Sequence, residues 1–173
     1  SSRRQRQMCI RDRNSKDRSL CMGLIDVNGV GNLNQKHTNG FVDRLLAGVG
    51  QQLTVSVRKS ESDARCFRVS GQTFALLLRD VDGQAAIVMM DRFRQAITDS
   101  TFLLDGQKVK TKVNTATLEV GPDESVLDVL QRVEMTMTHA KEVGPDQNAI
   151  MMNGMVTVVE AQRENPTENL VQL

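Results

Sequence analysis

The side chains most often used for chemistry are thinly spread in this sequence. Cys9, Cys21 and Cys66, with His37 and His139, are scattered over 173 residues. No two of them stand at a zinc-ligand or redox spacing. Each histidine therefore reads as a surface residue. What remains for chemistry is a small set of carboxylates, amides and cations. Asp26 and Asn28 close the apolar run that begins at Leu24. A carboxylate is a hard oxygen ligand for Mg2+, but a lone one holds the ion only where substrate phosphates complete the shell. A second polar group is Ser70-Gly71-Gln72-Thr73-Phe74, whose Gln72 and Thr73 hydrogen-bond but carry no charge at neutral pH. Lys141 near the end of a helical pattern could meet an anion, although a lysine at that place is common for reasons of helix electrostatics.

The elements that position these residues can be read from periodicity. Ser19 to Asn28 is apolar on both faces, as in a central strand covered on two sides, and Gly29-Val30-Gly31-Asn32 breaks it. Phe41, Leu45, Val49, Leu53 and Val57 step by four along a helix from about Phe41 to Val57, and that stripe faces a core. Arg58 to Ala64 is a polar connection. Cys66 to Leu78 reads as strand, turn and strand, with Ser70-Gly71 as the two-residue turn. Asp80-Val81-Asp82-Gly83 is a turn and helix cap, and the helix runs from about Gln84 to Thr98. Phe102 to Leu104 leads into an Asp105-Gly106 turn, and Lys108 to Val120 alternates as a half-exposed strand. A last helix covers about Glu124 to Val143, with Leu127, Leu130, Val133, Met137 and Ala140 as its apolar face. Ala149 to Val159 is a strand or strand pair about Asn153-Gly154. The order β-α-β-β-α-β-α-β predicts an α/β (α+β) domain with a ferredoxin-like core, in which helices flank a central, mostly antiparallel sheet.

This order, with its marker residues, resembles the GGDEF domain, the diguanylate cyclase family. In that family a strand ending in Asp-x-Asp feeds a helix, and a later hairpin carries Gly-Gly-Asp/Glu-Glu-Phe. Asp26 stands at the first acidic position and Asn28 at the second. Asn34 and Asp43 follow at the family's spacing. Ser70, Gly71, Gln72, Thr73 and Phe74 occupy the hairpin motif, where Gly71 and Phe74 match and the acidic positions do not. Met137 to Lys141 is similar to the family's Met-Tyr-x-Ala-Lys, with Thr138 for the tyrosine. Gly144-Pro145-Asp146-Gln147-Asn148 stands where the family has Gly-Arg-Asn. The family's opening helix and Asp-x-Leu-Thr-Gly-Leu-x-Asn-Arg segment have no counterpart.

The resemblance implies the joining of two GTP molecules, one on each subunit of a facing pair, with Mg2+ held by the strand-end and hairpin acids. It assigns Asp26 as a vestigial metal position and Asn34, Asp43 and Lys141 as vestigial nucleotide positions. With Asn28, Gln72 and Thr73 in place of acids, it implies no catalytic residue. No cofactor is required, with Mg2+ accompanying GTP where nucleotide binds. The family's product-inhibition Arg-x-x-Asp corresponds to Glu61 and Ala64, so no cyclic di-GMP binding is expected there. The expected role is an inactive regulatory module with residual GTP binding, linked in a longer chain to an effector or EAL phosphodiesterase domain and able to form a homodimer. Two alternatives stand beside it. One is a divergent but active cyclase in which Asp80 or Glu61 compensates for the lost acids. The other is a ferredoxin-like interaction domain that binds no nucleotide.

Composition bounds the rest. The chain suffices for one domain with a core, and its apolar runs are too short to span a bilayer. A formal net charge of +1 argues against a nucleic-acid partner. The sparse cysteines fit a reducing compartment, hence the cytoplasm. Residues 1–13 hold five arginines against one aspartate; they read as a non-native, adaptor-derived tail and are set apart from the fold. Residues 14–159 form the expected degenerate GGDEF domain, and 160–173 a linker or the start of a following segment.

Overall fold

The computed structural model describes residues 18–37 and 39–160. Residues 1–13 and all but the first residue of 160–173 lie outside them. Among the described residues eight strands and four helices follow in the order β1 (Leu20–Val27), α1 (Val30–Lys36), α2 (Asn39–Lys59), β2 (Ala64–Ser70), β3 (Thr73–Arg79), α3 (Gly83–Asp99), β4 (Phe102–Leu104), β5 (Gln107–Val109), β6 (Val113–Glu119), α4 (Val126–Val143), β7 (Asn148–Met152) and β8 (Met155–Val159). Six strands form one sheet in the order β2-β3-β1-β6-β7-β8. Only the β6–β7 pair is parallel. The first four members, taken with α2 and α3, make the βαββαβ unit of a ferredoxin-like core. The expected fold class holds, and α4 with the β7–β8 hairpin extends it.

Strand parity divides the core in two. Cys21, Ile25 and Val27 of β1 pack beneath α2 and α3, whereas Met22 and Leu24 pack with α4 on the other face. The alternation puts Asp26 on the α4 face, which decides its partners. Phe41, Leu45, Val49 and Leu53 of α2 are all buried, each contributing at most about 1.5–3 kcal/mol.

Asp82 Oδ1 caps α3 by accepting from Ala85 N at 2.8 Å. Ser125 caps α4, its Oγ accepting from Asp128 N at 3.1 Å and donating to Asp128 Oδ2 at 2.8 Å. The Asp105-Gly106 and Asn153-Gly154 turns carry positive φ at both residues, the geometry that matches strand twist in tight hairpins.

Several sequence expectations are corrected. Gly29 to Asn32 does not simply end β1 but enters the short helix α1, with Gly29 left-handed at φ 74°. The segment from Lys108 to Val120 is not one half-exposed strand. It divides into β5 and β6, and β6 is buried at its first six positions because helices cover both of its faces. Thr115 Oγ1 donates to Asn148 Oδ1 at 2.6 Å, whereas the buried Thr117 Oγ1 has no partner among the described residues. On α4 the buried residues are Val129, Val133, Thr136, Met137 and Ala140, whereas Leu127 is 78% exposed. Thr136 tolerates burial because its hydroxyl donates to Arg132 O at 2.8 Å. The turn of the β2–β3 hairpin is Gly71-Gln72, one residue later than expected, since Ser70 pairs with Thr73 and the register shifts between Arg68 and Ser70. The extra residue on β2 is a bulge.

The entry to α4 is pH-sensitive. Arg132 Nη1 donates to both Glu124 oxygens at 2.6 and 2.7 Å, and Gly121 N donates to Oε2 at 2.9 Å. The arginine, and then the backbone donor, hold the Glu124 carboxyl below the usual range. Stability from this group is complete above the unfolded-state value of about 4.3 and is lost as pH falls through the lower folded value. Thermal melts from neutral pH to about pH 3 should show a smaller acid-induced drop in Glu124→Gln than in the parent chain; equal slopes would remove Glu124 from the acid response.

Candidate functional site

β1 ends beside the β2–β3 hairpin, and Asp26, Gln72 and Lys141 meet there. Asp26 is opposite Thr73 on one side and Asn114 on the other. The hairpin tip is tied to β1 by Val27 N donating to Gln72 O at 3.0 Å. Arg68 closes the tip, its Nε and Nη2 donating to Gly71 O at 2.9 and 2.7 Å. Phe74 is buried beneath α2 and α3 and anchors the hairpin to the core. Ser70 and Gly71 are exposed. Gly71 has no positive φ, and a Cβ there would meet nothing within 4 Å. The fold does not demand its glycine.

Asp26 is only 4% exposed, so its charge needs partners. Gln72 Nε2 donates to Oδ1 at 2.9 Å. Lys141, from the last turn of α4, pairs its ammonium with Oδ2. The lysine thus supplies the positive charge and the glutamine a second donor. The neighbouring amide is engaged as well, since Asn28 Oδ1 accepts from Asp146 N at 3.1 Å.

A divalent cation at this place needs several free oxygen ligands, carboxylates above all. Both Asp26 oxygens already accept from nitrogen donors, and the nearest hairpin side chain presents an amide rather than an acid. Among the described residues no three His, Cys, Asp or Glu side chains converge. The residues present do not fit Mg2+ without rearrangement. Asp80 and Glu61 do not join this site. Asp80 N donates to Ser19 O at 2.8 Å at the start of β1, and Glu61 precedes β2, whose first residue pairs with Leu78. Both acids lie at the end of the sheet away from Asp26, about 20 Å along the strands at 3.3 Å per residue.

Asn34 and Asp43 are exposed on α1 and α2, and neither side chain bonds to a described residue. Neither bonds to Asp26, whose partners are Gln72 and Lys141. The sequence marked the loop between α4 and β7 but not the arginine that holds it. Arg94 is buried on α3 and binds Asp146 Oδ1 through Nη1 at 2.6 Å and Asp91 Oδ1 through Nη2 at 2.8 Å. Burial opposes its charge, but the bonds to Asp91 and Asp146 outweigh that and push the guanidinium pKa up. Asn114 Nδ2 donates to Gly144 O and its Oδ1 accepts from Gln147 N, both at 2.9 Å. Arg94, Asn114 and Asn28 therefore fix this loop against the end of β1. Polar residues inside otherwise apolar strand and helix faces were the available signal.

No helix among the described residues is long and apolar enough to cross a membrane. The comparison with curated proteins found no sequence match. Solved structures share the fold at low identity. The diguanylate cyclase SiaD of Pseudomonas aeruginosa, solved with its activator SiaC, is 19% identical with a TM-score of 0.73, over 86% of this chain and 58% of SiaD. This chain thus spans little more than half of SiaD. The FimX GGDEF domain of the same organism is 17% identical with a TM-score of 0.70, over 86% of this chain and 93% of that domain. A diguanylate cyclase/phosphodiesterase of Caldicellulosiruptor saccharolyticus is 14% identical with a TM-score of 0.68, over 80% of this chain and 78% of that one. The model of the family described as "Diguanylate cyclase, GGDEF domain" matches residues 4–147. A match over most of the chain, on a topology these structures share, makes this chain a member of the GGDEF diguanylate cyclase family.

Proposed function

We propose that this chain is a GGDEF module that does not make cyclic di-GMP and acts as a regulatory part of a cyclic di-GMP signalling protein, with GTP as its remaining ligand. The observation that carries this reading is the internal neutralisation of Asp26 by Lys141 and Gln72. In-line attack on an α-phosphate needs metal to offset the triphosphate charge, and the neutral Asn28, Gln72 and Thr73 stand where acids would hold that metal. Guanine recognition rests on other residues. Asn34 and Asp43 are intact and exposed, and an aspartate can accept from the paired N–H groups of the guanine edge. The unneeded glycine at position 71 leaves room for close approach by a ligand. A linked output domain fits the likeness to the Caldicellulosiruptor cyclase/phosphodiesterase, and a protein partner fits the likeness to SiaD, which was solved with an activator.

Calorimetric titration of the chain with GTP and Mg2+ tests the reading, followed by a product assay on the same sample. Saturable binding is expected, weakened about 10- to 100-fold in Asp43→Ala, the range for hydrogen bonds to a charged group, with no cyclic di-GMP formed. Metal-dependent product formation would overturn the inactive reading. Absence of binding would make Asn34 and Asp43 ordinary surface residues and leave a module that acts through protein contacts alone.

A further inference from the structure

We infer that a cleft behind α1 is a second ligand site, built for a small molecule bearing a phosphate or pyrophosphate group and separate from the Asp26 site. The cleft has a volume of about 650 Å3 and lies between α1, the end of α3, the β5–β6 connection and the loop before β7. That volume is within the range of small-molecule pockets. Lys36, Lys110 and Lys112 line it, together with Asn28 and Asn32. Asp99 is the one acid in its wall. None of the three lysines forms an ion pair with a described residue.

Three cations against one carboxylate leave a surplus of positive charge inside a concavity. Low-dielectric walls focus such a field and raise the local concentration of anions. Lysine is a point-charge binder of phosphate, and asparagine adds donors that fix orientation. The three lysines are exposed at the rim of the cleft, and the backbone of one of them is tied down. Lys112 O accepts from Asn28 N at 2.9 Å, so the β5–β6 connection is fastened to the end of β1.

The cleft is distinct from the positions considered for GTP. At about 100° per residue, Asn32, Leu33 and Lys36 share one face of α1 and Asn34 is on the other. Neither Asn34, Asp43, Asp26 nor Lys141 lines the cleft. The two sites are nonetheless connected. Asn28 belongs to the cleft wall, and its Oδ1 accepts from Asp146 N in the loop held by Arg94. A ligand that recruits the Asn28 amide acts directly on that loop.

The test is an NMR titration of the full chain with inorganic pyrophosphate in about 150 mM salt, where screening over about 8 Å suppresses diffuse attraction. Saturable shifts are expected at Asn28, Asn32 and the β5–β6 connection. The affinity should fall about tenfold or more in Lys36→Gln/Lys112→Gln and be unchanged in Asp43→Ala. A charge-matched control, Lys59→Gln/Lys108→Gln, should bind as the parent does. Equal weakening in the control would reduce the effect to general charge and overturn the site. Shifts centred on Lys141, or no saturation at millimolar pyrophosphate, would overturn it too. Because Asp43→Ala is included, failure here is distinguishable from failure of GTP binding.

Discussion

An Asp91→Asn/Asp146→Asn double variant unfolds about 3–5 kcal/mol more readily than the parent, the cost of leaving a buried charge without its counter-charge. The side chain of Arg94 is 2% exposed, whereas those of Asp91 and Asp146 are 39% and 28% exposed. The three partners are therefore not equivalent. Removing the acids strands a guanidinium that water cannot reach. Removing the cation by Arg94→Met leaves two carboxylates that water can partly solvate, so the expected loss is smaller, about 1–3 kcal/mol. Combining all three substitutions should recover much of what the double variant loses, because the stranded charge is gone. Denaturant midpoints at constant m-value give the comparison. If the double variant and Arg94→Met are equally stable, the guanidinium finds another partner and the buried-charge account is wrong. The consequence reaches the site, since Asp146 belongs to the loop that hydrogen-bonds Asn28 at the end of β1.

Where local periodicity and tertiary packing agree, the sequence was legible. The α2 stripe has one period and faces one core, and all four of its leading residues are buried as read. β1 is apolar on both faces because helices cover both, and Asp26 stands out against that background. The hairpin was visible but its turn was displaced by one residue, since a bulge in β2 leaves no mark in the apolar pattern. α1 was hidden by Gly29 and Gly31, which read as breakers, although a left-handed glycine is also a usable helix entry. On α4, Val133, Met137 and Ala140 are buried as read, but Leu127 and Leu130 are exposed, and Thr136 is buried because it satisfies its own hydroxyl. Contacts distant in sequence were beyond reach. Asn28 meets the backbone of Asp146, 118 residues away, and Gln72 meets Asp26 across 46. The sequence could show that acids were missing from the hairpin, but not that a lysine and an amide had taken up the remaining carboxylate.

Gln72→Glu tests that substitution of partners directly. In the parent, Gln72 Nε2 donates to Asp26 Oδ1 at 2.9 Å. A glutamate there would set two carboxylates in contact, with one lysine to offset them. Without metal the variant should lose about 1–3 kcal/mol, from a broken hydrogen bond and added repulsion at a nearly buried group. With Mn2+ or Mg2+ the same two carboxylates become oxygen ligands, and metal at a hundred times its dissociation constant restores about 2.7 kcal/mol. The expected result is a thermal midpoint below the parent's in EDTA that climbs with added Mn2+, while the parent's midpoint does not respond. Adding Lys141→Met should enlarge the metal response, because the ammonium that competes for Asp26 Oδ2 is then gone. Lys141→Met alone should destabilise the chain, since Asp26 keeps a donor but no counter-charge. A parent chain that already gains stability from Mn2+ would show that its carboxylate is open to metal, and the reading of Lys141 and Gln72 as replacements for the cation would fail. A metal response confined to the glutamate variant would place the loss of metal binding in two side chains rather than in the fold, because the backbone that brings the hairpin to the end of β1 is unchanged between them.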